Sequence, residues 1–143
     1  MIHTTLKTAL TTAGCTLVFY ESTEMVNTLT DQSKPEDIIG IVKEPDTMTF
    51  GITGNGVRRS FPLTVIEILK QVGAEAGAEN NIAALEACTS IAEILIHNLI
   101  DSREYKKITE VVAMKISEKR YDANVIGWAL SLNLQRIDNK IPC

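Results

Sequence analysis

One segment, Asn80–Asp101, constrains the fold more than any other part of the chain. Its apolar residues recur at helical spacing and form one broad stripe, while polar residues such as Glu93 and His97 fall on the opposite side. At about 1.5 Å per residue, such a helix is roughly 30 Å long, enough to cross a small sheet. Asn80 or Asn81 is expected to cap its start. The residues of the predicted stripe are Ile82, Leu85, Cys88, Thr89, Ala92, Leu95, Ile96 and Leu99.

Most of the remaining chain is expected to form strands. Apolar residues spaced along residues 2–13 predict a short N-terminal helix, and Gly14 suits the left-handed position that ends it. Because the strands cluster rather than alternate with helices, residues 1–143 are predicted to form a single α+β domain. It would have a mostly antiparallel sheet, the long helix on one face and a closing C-terminal β-hairpin. The predicted strands are 15–21, 38–43, 47–53, 57–61, 63–72, 110–118 and 128–134, and residues 22–37 form a long loop.

Three local patterns refine this prediction. Residues 47–53 alternate Met48, Phe50 and Ile52 with smaller residues, which predicts a half-buried strand. Gly54–Gly56 predicts a hairpin turn, and a break at Pro62 would separate two strands. In the last strand, Trp128 is expected to be the largest core residue, because apolar residues alternate with small or polar ones there.

Composition narrows the classes of partner and compartment. The net charge of −4 does not favour binding to nucleic-acid phosphates. The three cysteines, Cys15, Cys88 and Cys143, lack the spacing of a metal site or a disulfide framework, and this favours a reducing cytoplasm. Residues 12–15 resemble a lipoprotein cleavage box, but the preceding residues are too few and too polar for a signal peptide. No run is expected to reach the ~18 apolar residues of a membrane span, so no membrane partner is expected.

The sequence contains few candidates for chemistry. The glycines of residues 51–56 precede a strand rather than a helix, so they favour a hairpin over a phosphate-binding loop. His97 lies four residues from Glu93 and from Asp101, a spacing that permits a metal ligand but is also typical of solvated helix partners. Neither histidine, His3 or His97, is placed to activate a cysteine or serine nucleophile. We therefore expect no catalytic residue, no metal ligand and no cofactor.

Exposed apolar residues are better candidates, as contacts between subunits. Met25, Val26 and Leu29 are apolar residues in an otherwise polar loop, which favours an arm that docks on another surface. Ile94 lies on the polar side of the long helix, and Asn55 lies at the predicted hairpin tip. These five residues are the predicted subunit-interface residues, although the apolar ones could also pack beneath the domain's own loops.

The order of elements and the closing stretch Asp122–Leu134 (Asp-Ala-Asn-Val-Ile-Gly-Trp-Ala-Leu-Ser-Leu-Asn-Leu) carry a family resemblance. The chain resembles the tail-terminator, tail-completion and head–tail connector proteins of tailed bacteriophages. The resemblance implies a structural virion protein without catalytic residues, assembled in the cytoplasm of the bacterial host. It would form a homo-oligomeric ring at the neck or tail end that contacts other neck, portal or tail proteins. DNA would pass through the lumen without specific binding, and the long loop at residues 22–37 departs from the family pattern.

Two other classes of function remain open at this point. A small cytoplasmic protein-binding module without catalytic activity, monomeric or dimeric, would use the same exposed apolar residues. A small enzyme would need a substrate site among the acidic residues of the loops, and no residue pattern indicates one. Oligomeric state and neighbouring partners separate the first alternative from the ring.

Overall fold

The computed structural model describes residues 2–20, 37–43, 48–54, 56–72, 78–102, 108, 110–120 and 123–135. Within these residues the chain forms two helices and six strands, in the α+β arrangement that the sequence predicts. The elements are α1 (Ile2–Ala13), β1 (Leu17–Tyr20), β2 (Ile38–Val42), β3 (Thr49–Thr53), β4 (Gly56–Gln71), α2 (Ala78–Asp101), β5 (Val112–Arg120) and β6 (Ala123–Gln135).

The strands form one mostly antiparallel sheet in the order β1-β2-β4-β6-β5. The β1–β2 pair is parallel and the other pairs are antiparallel. The third strand, β3, pairs with the first part of β4. It uses the same edge of β4 that pairs with β2 later along the strand. The closing hairpin of β5 and β6 confirms the predicted C-terminal hairpin. In the described part of the chain, β5 therefore lies at one end of the sheet and β1 at the other, while β3 lies beside the first part of β4.

Strand β4 is longer than expected. The sequence predicts a break at Pro62, but the strand runs without interruption from Gly56 to Gln71. The proline instead coincides with a shift in the β4–β6 register between Phe61 and Thr64. This fits the physical effect of proline, which removes one ladder donor and is accommodated at a bulge. The prediction of two separate strands is wrong.

Helix α2 packs its apolar stripe on the face of the sheet that β4 and β6 form. Leu95, Leu99 and Cys88 are buried there, whereas Ile82 is 55% exposed and does not belong to the stripe. The sequence pattern also omits Ile91, which is buried. The helix starts two residues earlier than predicted, so the two asparagines lie in its first turn instead of capping it.

The segment Glu79–Asp101 of this helix is long and apolar enough, by length and composition alone, to cross a membrane. The segment is not the continuous run of about 18 apolar residues that a membrane span was expected to need, because Glu86, Glu93 and His97 interrupt it. In the folded domain its apolar residues contact buried residues of the sheet, among them Ile66, Ile68 and Leu130. The high hydropathy of the segment is thus explained by its position as a core helix, which its apolar stripe predicts.

Helix α1 ends at Gly14 as predicted. Gly14 adopts a φ of 121°, and two backbone hydrogen bonds close the helix. The Gly14 N–H donates to the Thr11 carbonyl and the Cys15 N–H donates to the Leu10 carbonyl, the pattern of a Schellman motif. A side chain at this position would be strained and would also meet Ile91 of α2. The glycine therefore fixes how the two helices approach each other.

Trp128 connects α2 to the sheet through a short hydrogen-bond relay. Its indole N–H donates to Thr89 Oγ1 at 2.9 Å, and that hydroxyl donates to the Leu85 carbonyl at 2.7 Å. Trp128 packs against the core cluster but is only partly buried, so the expectation that it would be the largest core residue is not met.

A double-mutant cycle of Trp128→Phe and Thr89→Val tests this relay. We expect a coupling free energy of about 1 kcal/mol in urea unfolding, because each variant alone leaves one partner of the hydrogen bond without the other. Ser90→Ala is the matched control, since the Ser90 hydroxyl on the exposed side of α2 donates only to the Glu86 carbonyl in the described contacts. Additive effects of the two variants would show that the relay contributes nothing.

Candidate interaction surfaces

The outer side of α2 forms the first surface, called here the acidic helix face and defined by Glu86, Glu93, Ile94, His97 and Asp101. All five side chains are exposed, and Ile94 is 44% exposed. On this face His97 Nε2 lies 3.2 Å from Asp101 Oδ2, and both side chains are largely solvent-accessible. Such a pair contributes little stability. The face is thus acidic with an exposed apolar residue in it, and Ile82 and Ile100 are exposed on the same helix.

Strand β5 forms the second surface, the β5 edge. It is the last strand on its side of the sheet among the described residues. Val112 and Met114 are exposed on the sheet face opposite the helices, and Met114 is 66% exposed. Lys115 is exposed on the helix side, where α2 does not cover the strand. Lys115 is the one charged residue of this strand whose side chain the structure describes, so the described part of this edge is apolar with one basic group.

Strand β3 carries the third surface. Phe50 is 58% exposed and Ile52 is 87% exposed, and Met48 beside them is exposed too. The prediction that this strand is half-buried is wrong. The alternation of apolar and small residues is present, but the helices cover the other end of β4, and none of the described core residues packs on the apolar side of β3. A hydrogen bond between the hydroxyls of Thr49 and Ser60 ties β3 to β4.

Of the five predicted interface residues, the structure tests only one for exposure. Ile94 is exposed on the acidic helix face, as the sequence predicts. Met25, Val26, Leu29 and Asn55 lie outside the described residues. The sequence prediction missed the exposed apolar residues of β3 and β5. An uncharged strand such as Thr49–Thr53 was a usable signal for an exposed edge, but the alternation was interpreted as burial.

The second face of the sheet contains a buried carboxylate. Glu67 is 1% exposed, and the strand register aligns it with Ile41 on one side and Ala129 on the other. Apolar residues of the same face, including Ile39, surround this row. Among the described residues, no group of three or more histidine, cysteine or acidic side chains could hold a metal ion. Glu67 is therefore a buried acidic side chain that belongs to no recognisable metal centre among the described residues.

The two described cysteines are buried free thiols. Burial raises the pKa of the Cys15 thiol to about 12, and the neighbouring Cys88 raises it as well. Burial also raises the pKa of the Cys88 thiol to about 11, against an opposing effect of Lys70. Because the thiolate is the reactive form, both side chains are poor nucleophiles at neutral pH. Burial of Cys15 also leaves it inaccessible to a lipid-attaching enzyme in the folded domain.

A shallow groove of about 400 Å³ lies between the two helices. Thr5, Thr8, Ala9 and Thr12 of α1 and Asn98 of α2 line it. The Thr12 hydroxyl donates to the Thr8 carbonyl, so it is already used within the helix. The groove is open and none of the described residues that line it is charged, so these residues do not supply the convergent charged and polar groups that orient a small ligand.

Comparison of the chain with protein-family models and with curated proteins gave no match.

Proposed function

We propose that this chain is a structural protein that assembles head to tail into a ring. One observation carries the proposal: the chain has two different exposed apolar surfaces of opposite charge. The acidic helix face carries carboxylates around Ile94, and the β5 edge carries Lys115 on the helix side and Val112 and Met114 on the opposite side of the same strand. A head-to-tail contact needs two different, complementary patches on each subunit, and it closes into a ring when the rotation between subunits closes.

Charge supports this pairing of surfaces over a pairing of like with like. Two acidic helix faces would repel each other, whereas an acidic face opposite a basic edge attracts its partner and fixes the register. The exposed apolar residues of both patches would be buried by the same contact, at roughly 25 cal/mol per Å² of apolar surface. The fold itself contributes a rigid sheet that holds both patches in fixed positions.

The biological setting of the ring is proposed from the resemblance of Asp122–Leu134 and of the element order. We assign the chain to the head–tail junction or tail end of a tailed bacteriophage, as a tail-terminator or neck-connector subunit. The net charge of −4 suits a lumen through which DNA slides, because an acidic wall does not hold phosphates. Other neck, portal or tail proteins would then bind above and below the ring.

Charge reversal across the proposed contact tests the ring. We expect Glu93→Lys and Lys115→Glu each to raise the protein concentration needed for assembly on the order of tenfold, because attraction becomes repulsion. The double variant carries the reversed pair and should recover assembly. Native mass spectrometry combined with negative-stain imaging measures this, and Thr11→Lys, an exposed change on α1, is the control.

An opposite outcome has a specific meaning. A wild-type protein that stays monomeric at all concentrations, and also with phage portal or tail proteins present, contradicts the ring. It would favour a protein-binding module, in which the same two surfaces bind a different protein. A double variant that assembles no better than the single variants would show that subunits meet through other surfaces.

A further inference from the structure

The outer edge of β3 is open to another strand. One edge of β3 pairs with β4 in a regular register from Thr49↔Ser60 to Thr53↔Gly56. Within the described residues, no strand pairs with the other edge. A two-residue connection links the two strands, and the pair that flanks such a turn exchanges hydrogen bonds. Since hydrogen-bonded pairs alternate along the ladder, Phe50 and Ile52 point their backbone N–H and C=O groups away from β4.

This edge lacks the features that normally prevent strand addition. Exposed edges are usually protected by charged side chains, proline or a bulge. Residues 49–53, Thr-Phe-Gly-Ile-Thr, contain no charge and no proline, and their pairing with β4 shows no register shift. The β5 edge differs, because it carries four charged residues in nine. The β3 edge is therefore better suited than the β5 edge to pair with another strand.

The residue types of β3 are arranged symmetrically on the two sides of Gly51. Thr49 and Thr53 flank Phe50 and Ile52, which flank the glycine. In an antiparallel pair of two such strands centred on Gly51, Phe50 of each copy lies opposite Ile52 of the other. Both residues direct their backbone groups outward, so these opposed pairs exchange hydrogen bonds. An aromatic side chain opposite a β-branched one is also a favourable cross-strand pair.

We propose that β3 pairs with β3 of a second copy of this chain, in antiparallel register about a two-fold axis through Gly51. The sequence of β3 favours a second copy as the occupant. The strand is complementary to itself about Gly51, and it carries no charge that would oppose the same strand of another copy. The contact is two-fold, so it is separate from the head-to-tail contact and does not depend on it. If the ring forms, the contact joins two rings face to face.

Cysteine cross-linking at the two-fold axis tests the pairing. In a Cys143→Ser background, Gly51→Cys places two thiols opposite each other in a non-hydrogen-bonded pair. The Cα atoms there are about 4.5 Å apart, within the range of a disulfide. Mild oxidation should convert most of the protein into covalent dimers on a non-reducing gel. The buried Cys15 and Cys88 remain in all variants, and the background protein without the new cysteine measures their contribution.

Thr49→Cys and Thr53→Cys provide matched controls for the register. In the proposed register, residue 49 of one copy lies opposite residue 53 of the other copy. Two copies of the same variant therefore hold their cysteines roughly 13 Å apart, beyond disulfide reach. Either variant alone should remain monomeric on the gel, whereas a mixture of the two should give dimers. This arm leaves Gly51 unchanged, so it tests the proposal even if Gly51→Cys fails to fold.

The outcomes separate this contact from the ring. Failure of the mixture to cross-link overturns the proposal, and so does Thr49→Cys cross-linking as readily alone as in the mixture. If the protein forms rings but none of these cross-links, head-to-tail assembly is supported and the β3 contact is contradicted. If it forms cross-linked dimers but never rings, the β3 contact is supported and head-to-tail assembly is contradicted. Ile52→Lys added to Gly51→Cys should reduce dimer formation at least several-fold, whereas Met114→Lys should not.

Discussion

Replacing Gly127 by alanine is expected to lower the free energy of unfolding by at least about 3 kcal/mol. Gly127 lies in the middle of β6, between Leu69 of β4 and Ile116 of β5. A Cβ at this position would overlap the carbonyl oxygen of Ile68 and lie 2.9 Å from the Leu69 Cα. Both are backbone atoms of a central strand, so no side chain can rotate to make room. The two strands would have to separate where the core is most buried.

Urea unfolding measured by the fluorescence of Trp128, the single tryptophan, gives this value directly. Gly54→Ala is the matched control, because a Cβ there meets nothing within 4 Å. We expect the control to change stability by less than about 0.5 kcal/mol. If both variants unfolded at the same urea concentration, the close approach of β6 to β4 would have no energetic consequence.

The sequence predicted the local pattern of the fold well. The exposure of Glu93 and His97 and the burial of Leu95 follow from helical periodicity, because the sheet covers one side of α2. The left-handed turn at Gly14 follows from glycine stereochemistry. Each of these features depends on residues within a few positions of one another.

Features that depend on distant parts of the chain were not predicted. The alternation in β3 is typical of a half-buried strand, yet Ile52 is exposed because neither of the two described helices packs on β3. Pro62 predicts the end of a strand, but β6 pairs with β4 on both sides of it. The shift in register there accommodates the hydrogen-bond donor that proline lacks. The close approach at Gly127 likewise arises from the strand arrangement rather than from its neighbours in sequence. Periodicity shows which residues share a face, and tertiary structure decides what covers that face.

The candidate surfaces were predictable only in part for the same reason. Ile94 could be identified because it breaks the polar pattern of one helix. The exposure of Met114 could not, because it depends on β5 being the last strand on its side of the sheet. The opposite charges of the two surfaces became meaningful only when the fold showed that they belong to different elements of one subunit, α2 and β5. Assembly was the predicted function, and the described structure supplies specific surfaces with which to test it.

Alkaline pH is expected to destabilise the protein through its buried thiols. In the folded chain the pKa values of Cys15 and Cys88 are raised from 9.0 to about 12 and about 11. Above pH 9 the unfolded chain therefore loses its thiol protons while the folded chain retains them. The unfolded state then binds fewer protons, so stability falls as pH rises from about 9 towards the folded pKa values. Each thiol contributes a slope of at most about 1.4 kcal/mol per pH unit, giving a loss of several kcal/mol by about pH 11.

The variant Cys15→Ala/Cys88→Ala isolates this effect from the titration of lysine and tyrosine. Removing two buried thiols should lower stability at pH 7, where both are neutral, because each substitution leaves a small cavity. Between pH 9 and 11, however, the free energy of unfolding should fall less steeply than in the wild type. Equal slopes for the two proteins would contradict the assignment of the alkaline loss to these thiols. A free energy of unfolding that falls more steeply with pH in the wild type would show that the two cysteines are neutral core residues. They lie between α1, α2 and the sheet, so ionising them requires opening the interface that both helices share.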